Sequence, residues 1–197
     1  MPQSPKSRSL YDLLDHMQQR PFSYLSNRTL TALKDFISGY FSATTFQADS
    51  LKSNEPPFSE FWSWLMHHHK WLNAGMAGWY GVIMDQTKDD ARAFHRFFDL
   101  LAAYRRRKPE LQIYMSLSSA QKKRFMSEQK ERPPYRIRLT RYLGEDCLFL
   151  HIKHWARPGW EYCAVFDSIR DVPRWIETVL GIRKKQWEKS LRKLSRH

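Results

Sequence analysis

Between Thr87 and Pro109 lies the run that most restricts what this chain can become. Ala91, Phe94, Phe97, Phe98, Leu101 and Tyr104 recur three and four residues apart, the period that lines one face of an α-helix. Burying each large apolar side chain contributes roughly 1.5–3 kcal/mol, so this face alone rivals a whole domain's net stability. It has to be core, and other helices have to cover it. Thr87 is the expected cap, Asp89 and Asp90 complement the dipole in the first turn, and Arg105, Arg106, Arg107 and Lys108 suit the other end. Pro109 stops the helix, so a helical module over 1–108 and a second module over 109–197 are expected.

The helices that cover this face are sought upstream. Ser9 with Asp12 forms a cap ahead of Leu10, Leu13, Leu14 and Met17, and this one-sided helix ends before Pro21. Ser26 or Asn27 is the expected cap of the next helix, whose stripe is Leu30, Leu33, Ile37, Tyr40 and Phe41. Gly39 sits inside that stripe at a cost of up to about 1 kcal/mol against Ala, which points to close approach of another helix. Phe22, Tyr24 and Leu25 in the connection are expected to fold back onto the helices. The polar stretch QADSLKSNEPP reads as a loop, and Pro57 opens a helix with the stripe Phe58, Phe61, Trp62, Leu65 and Met66. After three glycines between Asn73 and Gly81, a short helix carries Trp79, Val82 and Ile83.

Beyond Pro109 the period changes. Ser118 or Ser119 caps a polar helix, AQKKRFMSEQKE, broken by Pro133 and Pro134. Ile137 and Leu139 then alternate with Arg136, Arg138 and Thr140, and Leu148, Leu150 and Ile152 alternate with Phe149, His151 and Lys153. Gly144-Glu145-Asp146 and Arg157-Pro158-Gly159 are turn signals, and a third strand runs from Trp160 to Phe166. Connections this short favour an antiparallel meander. Asp171, Pro173 and Gly181 bound another helix, and a basic tail from Arg183 carries Trp187, Leu191 and Leu194. The expected class is α+β: a helical N-terminal module followed by a small antiparallel meander with flanking helices.

Charge separates the two halves more sharply than period does. Residues 1–100 hold ten basic and ten acidic side chains, whereas residues 101–197 hold 23 and ten, and so carry the whole net charge of +13. Such asymmetry points to an anionic partner: nucleic acid, an acidic membrane surface or an acidic protein. A 42% hydrophobic content with eight Trp, nine Tyr and 12 Phe argues against disorder. Cys147 and Cys163 are too few for a disulfide framework. With no apolar run near 18 residues and no hydrophobic leader in MPQSPKSRS, a soluble cytoplasmic protein with no membrane partner is expected.

Few residues offer catalytic chemistry. His67, His68 and His69 are consecutive, and on a helix they point about 100° apart, so they do not converge on one metal ion. Cys147 and His151 share a strand face, yet no third group orients them, and a buried strand cysteine is usually inert. There is neither a glycine-rich phosphate loop nor a nucleophile elbow. No catalytic residue, metal or cofactor is therefore expected. The basic residues carry more: Arg136, Arg138, His151 and Lys153 are expected on one face, with Trp155 and Trp160 at its edge. Together with Arg141 and Arg157, and with Arg105, Arg106, Arg107 and Lys108 in support, they form the expected partner-binding patch. Nucleic acid is the alternative occupant, since cationic sheets with aromatics bind RNA and single strands, although the aromatic RNP pattern is missing.

The first half carries an order of features that resembles a known family. A short leucine-bearing helix leads to Arg20-Pro21-x-x-Tyr24-Leu25, and a helix ends in Phe36-Ile37-x-Gly39-Tyr40. Then come Phe58-x-x-Phe61-x-x-Trp64-Leu65, Gly78-Trp79 and Ala93-Phe94-x-x-Phe97-Phe98-x-Leu100-Leu101. Over roughly residues 9–105 this resembles small bacterial immunity proteins encoded beside polymorphic or contact-dependent toxins. Ser26 departs from the glycine that the family usually carries after the Tyr-Leu pair. The resemblance implies stoichiometric binding of a cognate toxin domain, without catalysis. Nuclease toxins tend to be basic, so a +13 inhibitor implies an acidic, non-nuclease toxin, of which an ADP-ribosyltransferase-like domain is one kind.

Overall fold

In the computed structural model the described residues are 9–44, 55–68, 78–116, 119, 123, 136–153, 161–168, 170–172, 174 and 177. The protein is α+β, with helices first and a four-stranded antiparallel sheet after them. It divides into two compact units, Met1–Arg106 and Arg107–His197.

Among its described residues the first unit has five α-helices: α1 (Leu10–Gln19), α2 (Leu30–Thr44), α3 (Phe61–His68), α4 (Gly78–Thr87) and α5 (Asp90–Arg105). At the start of α1, Ser9 and Asp12 form a reciprocal capping box, each side chain accepting from the other's backbone N–H at 3.2 Å. Helix α2 begins later than Ser26 or Asn27 would have it. Thr29 Oγ1 accepts the Ala32 N–H at 3.3 Å, and Asp90 Oδ1, from the first turn of α5, accepts the Thr31 N–H at 2.9 Å. A side chain 59 residues away thus satisfies an orphan donor, which no local pattern could announce. Likewise Asp89, not Thr87, caps α5, taking the Arg92 N–H at 2.6 Å, while Thr87 closes α4 by donating to the Ile83 carbonyl at 2.9 Å.

The α5 face is the core, with Phe94, Phe97, Phe98, Leu101 and Tyr104 buried and Ala93 taking the place expected of Ala91. On α3, which follows a 3-10 turn over Phe58–Glu60, Trp64 is buried and Trp62 only half-buried, Trp64 meeting Tyr104 of α5 at 5.4 Å. The Phe61 ring meets Phe97 at 5.7 Å and Tyr104 at 5.3 Å, both edge to face. The connection folds back in part: Leu25 is buried and Tyr24 meets Phe36 at 6.3 Å, but Phe22 is 74% exposed. Gly39 is exposed, and a Cβ placed there would meet nothing within 4 Å, so the close helix approach expected of it does not occur.

The second unit holds the sheet, in strand order β1 (Pro109–Ser116), β2 (Arg136–Tyr142), β3 (Leu148–Lys153) and β4 (Glu161–Phe166). One strand more than the expected meander is present: β1, whose segment ELQIYMS follows the proline expected only to end a helix. Gly144 supplies the left-handed backbone (φ +78°) that the β2–β3 turn needs. Ile113, Ile137, Leu139, Leu148, Leu150 and Phe166 pack on one face of the sheet with Val172. The helices expected over 120–131 and beyond Asp171, the Arg157-Pro158-Gly159 turn and the basic tail lie outside the described residues, apart from single positions.

Candidate interaction surface

Strand alternation and the pairing register decide which basic residues meet. Arg136 stands opposite Lys153, and Arg138 opposite His151, so all four share the sheet face turned away from the Leu139 core. On β1 the same face continues through Ser116 opposite Arg136 and Tyr114 opposite Arg138, and on β4 through Tyr162 opposite His151. Two cross-strand rows result. One runs Ser116–Arg136–Lys153, and the next runs Tyr114–Arg138–His151–Tyr162. Arg136 and Lys153 are thus like charges directly opposed across the β2–β3 ladder, an arrangement that by itself disfavours a sheet.

This face is wet at one end and dry at the other. Arg136 and Tyr114 are exposed, Arg138 and Lys153 half-buried, and His151, Thr140 and Phe149 fully buried. The expected open cationic sheet is therefore a cationic corner, where the strands carry Arg136, Arg138 and Lys153 beside Tyr114. At the dry end Thr140 Oγ1 has no hydrogen-bond partner among the described residues. There Arg107 lies 3.8 Å over the Tyr142 ring and 5.0 Å over Phe149, and it pairs with Glu145 at 3.3 Å.

The other predicted residues that are described have surroundings of their own. Arg105 belongs to the helical unit, where it reaches Asp15 and Glu55 and covers the Tyr11 ring at 4.7 Å. Burial works against its charge, but the hydrogen bonds to Asp15 and Glu55 outweigh this and hold its pKa above the ordinary value. Arg107 is buried in its own ion pair, with a side chain only 5% exposed. Arg106 and Lys108 are exposed. Arg141 falls on the opposite sheet face, with the parity of Leu139, and pairs with Glu110 at 2.9 Å. Trp155, Arg157 and Trp160 lie outside the described residues. What sequence reasoning missed is Tyr114, on β1, although Leu111, Ile113 and Met115 alternate there with Gln112, Tyr114 and Ser116.

Other chemistry is muted. Burial pushes the Cys147 thiol up to about 12, with Glu145 adding to the effect, the reverse of what a nucleophile needs. Among the described residues no group of three or more His, Cys, Asp or Glu side chains is placed to hold a metal ion. The His68 ring instead stacks on Trp64 at 5.0 Å. No helix among the described residues is long and apolar enough to cross a membrane. The chain matches no protein-family model, no curated protein and no solved structure.

Proposed function

We propose that this protein is an immunity-type inhibitor that binds one acidic, non-nuclease toxin domain and occludes it without catalysis. The supporting observation is electrostatic: residues 107–197 carry 21 basic and ten acidic side chains, and Arg136, Arg138 and Lys153 are gathered on one sheet corner. Opposite charge across such an interface speeds encounter by about 10–10³-fold and makes association fall with salt. The resemblance of residues 9–105 to immunity proteins supplies the class of partner, and an ADP-ribosyltransferase-like domain, with its catalytic glutamate, is one toxin that suits the charge. The cytoplasm, where such a toxin would act, is the compartment this reading implies.

A second reading has its own observation. Tyr114, 54% exposed, sits beside Arg138, and an aromatic ring next to phosphate-neutralising cations suits single-stranded nucleic acid. Co-expression with the product of the adjacent open reading frame separates the two. Inhibition requires rescue of growth and a one-to-one complex that weakens with salt. A neighbouring nuclease, or tight binding of generic RNA without any such complex, overturns it.

A further inference from the structure

Among the described residues β1 stands at one end of the sheet and pairs on one side only, with β2. Sheet edges normally carry charges, prolines or bulges that deter another strand. Here Pro109 and the register shift between Pro109 and Leu111 guard only the start of the strand. Leu111 to Ser116, LQIYMS, contains neither a charge nor a proline, in a chain whose residues are 27% charged. It is half-exposed along most of its length, with Tyr114 and Ser116 open to solvent.

We propose that this edge takes an extended acidic segment of the partner as a fifth strand, an inference that rests on the inhibitor reading above. Its side-chain pattern follows from the pleat. A strand added beside β1 lies about 10 Å from β2, two inter-strand spacings, within reach of an extended arginine. Every second residue of the added strand then falls in the rows of Tyr114 and Ser116, where Arg138 and Arg136 lie one strand further in. Carboxylates fit there. The intervening residues extend the row of Leu111, Ile113 and Met115, which borders the core face, and apolar side chains fit that row. The segment is therefore about six residues alternating acidic and apolar, docked by main-chain hydrogen bonds. Charge disfavours the other obvious occupant, a second copy of this chain, because 21 basic against ten acidic residues in the unit repel their like.

The test uses the full chain and an eight-residue peptide alternating Glu and Val. The peptide should shift the backbone amide resonances of residues 111–116, and its Lys–Val counterpart should not. Of two versions N-methylated along one edge or the other, one should bind at least about tenfold more weakly and the other should not, because only one edge offers hydrogen bonds to β1. Arg136→Glu, at an exposed site, should weaken the parent peptide about threefold or more through lost charge complementarity. Equal binding of both methylated forms, or shifts away from β1, overturns strand addition and leaves the inhibitor reading standing. Absence of binding at millimolar peptide, or self-association lost in Tyr114→Lys, also overturns it. Displacement of the peptide by generic RNA, together with failure of the co-expression test, removes the inhibitor reading as well.

Discussion

In the helical unit Arg105 lies across the Tyr11 ring and reaches both Asp15 and Glu55, whereas in the sheet unit Arg136 faces Lys153. The two units use arginine differently. In residues 1–106 the 12 basic and ten acidic side chains nearly cancel, and the guanidinium serves to tie α1 and α5 to the Glu55-Pro56-Pro57 segment. Tyr11 and Tyr104 reinforce that tie by donating to the carbonyls of Pro56 and Pro57, respectively. In residues 107–197 Arg107 is used in the same structural way and Arg141 pairs with Glu110, while Arg136, Arg138 and Lys153 share a sheet corner. A cation's sequence neighbourhood does not tell which use it has; its burial and the carboxylates within reach do.

The comparison breaks first at the aromatic core. Phe61→Ala should cost about 3–5 kcal/mol in urea unfolding, since a fully buried ring touching Phe58, Trp64, Phe97 and Tyr104 leaves a cavity that rigid neighbours cannot fill. A cost below about 1 kcal/mol would mean that the helical unit is not held by this cluster.

Next comes Arg107, the arginine buried in an ion pair in the sheet unit. Arg107→Ala leaves Glu145, whose side chain is 6% exposed, as a buried charge, and should cost about 3 kcal/mol. Arg107→Met with Glu145→Gln should recover most of that, because the desolvation cost of both charges goes with them. Arg136→Ala, by contrast, should change stability by less than about 0.5 kcal/mol, and the pair of results measures how far a buried and an exposed arginine differ.

A smaller effect appears only in alkali. Cys147 ionises near the ordinary thiol range when unfolded but only at about 12 when folded, so the folded state holds a proton that the unfolded state has released. Stability from this group is fully present below the unfolded pKa and falls as pH rises from there towards 12. Cys147→Ala should flatten that alkaline decline relative to the parent, and at pH 8 the parent's Cys147 should resist iodoacetamide until the protein is unfolded.

Much of this architecture was legible because it is written in short-range periods. The α5 stripe, the Ser9–Asp12 box, the stop at Pro21, and strands β2 and β3 with their shared cationic face all follow from spacing within a dozen residues. The misses came where distant groups decide. Asp90 completes the cap of α2 from another helix, and it is Trp64, against Tyr104 of α5, that is buried in place of Trp62. Strand β1 was legible as well, since Leu111, Ile113 and Met115 alternate with Gln112, Tyr114 and Ser116, but the expected meander did not include it. The site was half legible: parity placed Arg136, Arg138, His151 and Lys153 together. Parity alone also separates Arg141 from them, but nothing local foretold that His151 would be buried or Arg107 spent on Glu145.

The smallest expected effects set two left-handed residues against each other, one in each unit. Gly144 (φ +78°) turns the chain between β2 and β3, and a Cβ there would meet nothing within 4 Å, so Gly144→Ala carries only the backbone cost of about 1 kcal/mol. Lys88 (φ 55°), between α4 and α5, already bears that cost. Lys88→Gly removes it, returns part of it through the greater freedom of glycine in the unfolded chain, and should gain about 0.5 kcal/mol. The ion pair that Lys88 forms with Asp85 at 3.3 Å is largely exposed and contributes little against this. Thermal melts of the two variants should therefore move in opposite directions. If Lys88→Gly lowers the midpoint instead, Lys88 contributes through contacts on α4 and α5 that outweigh its backbone strain.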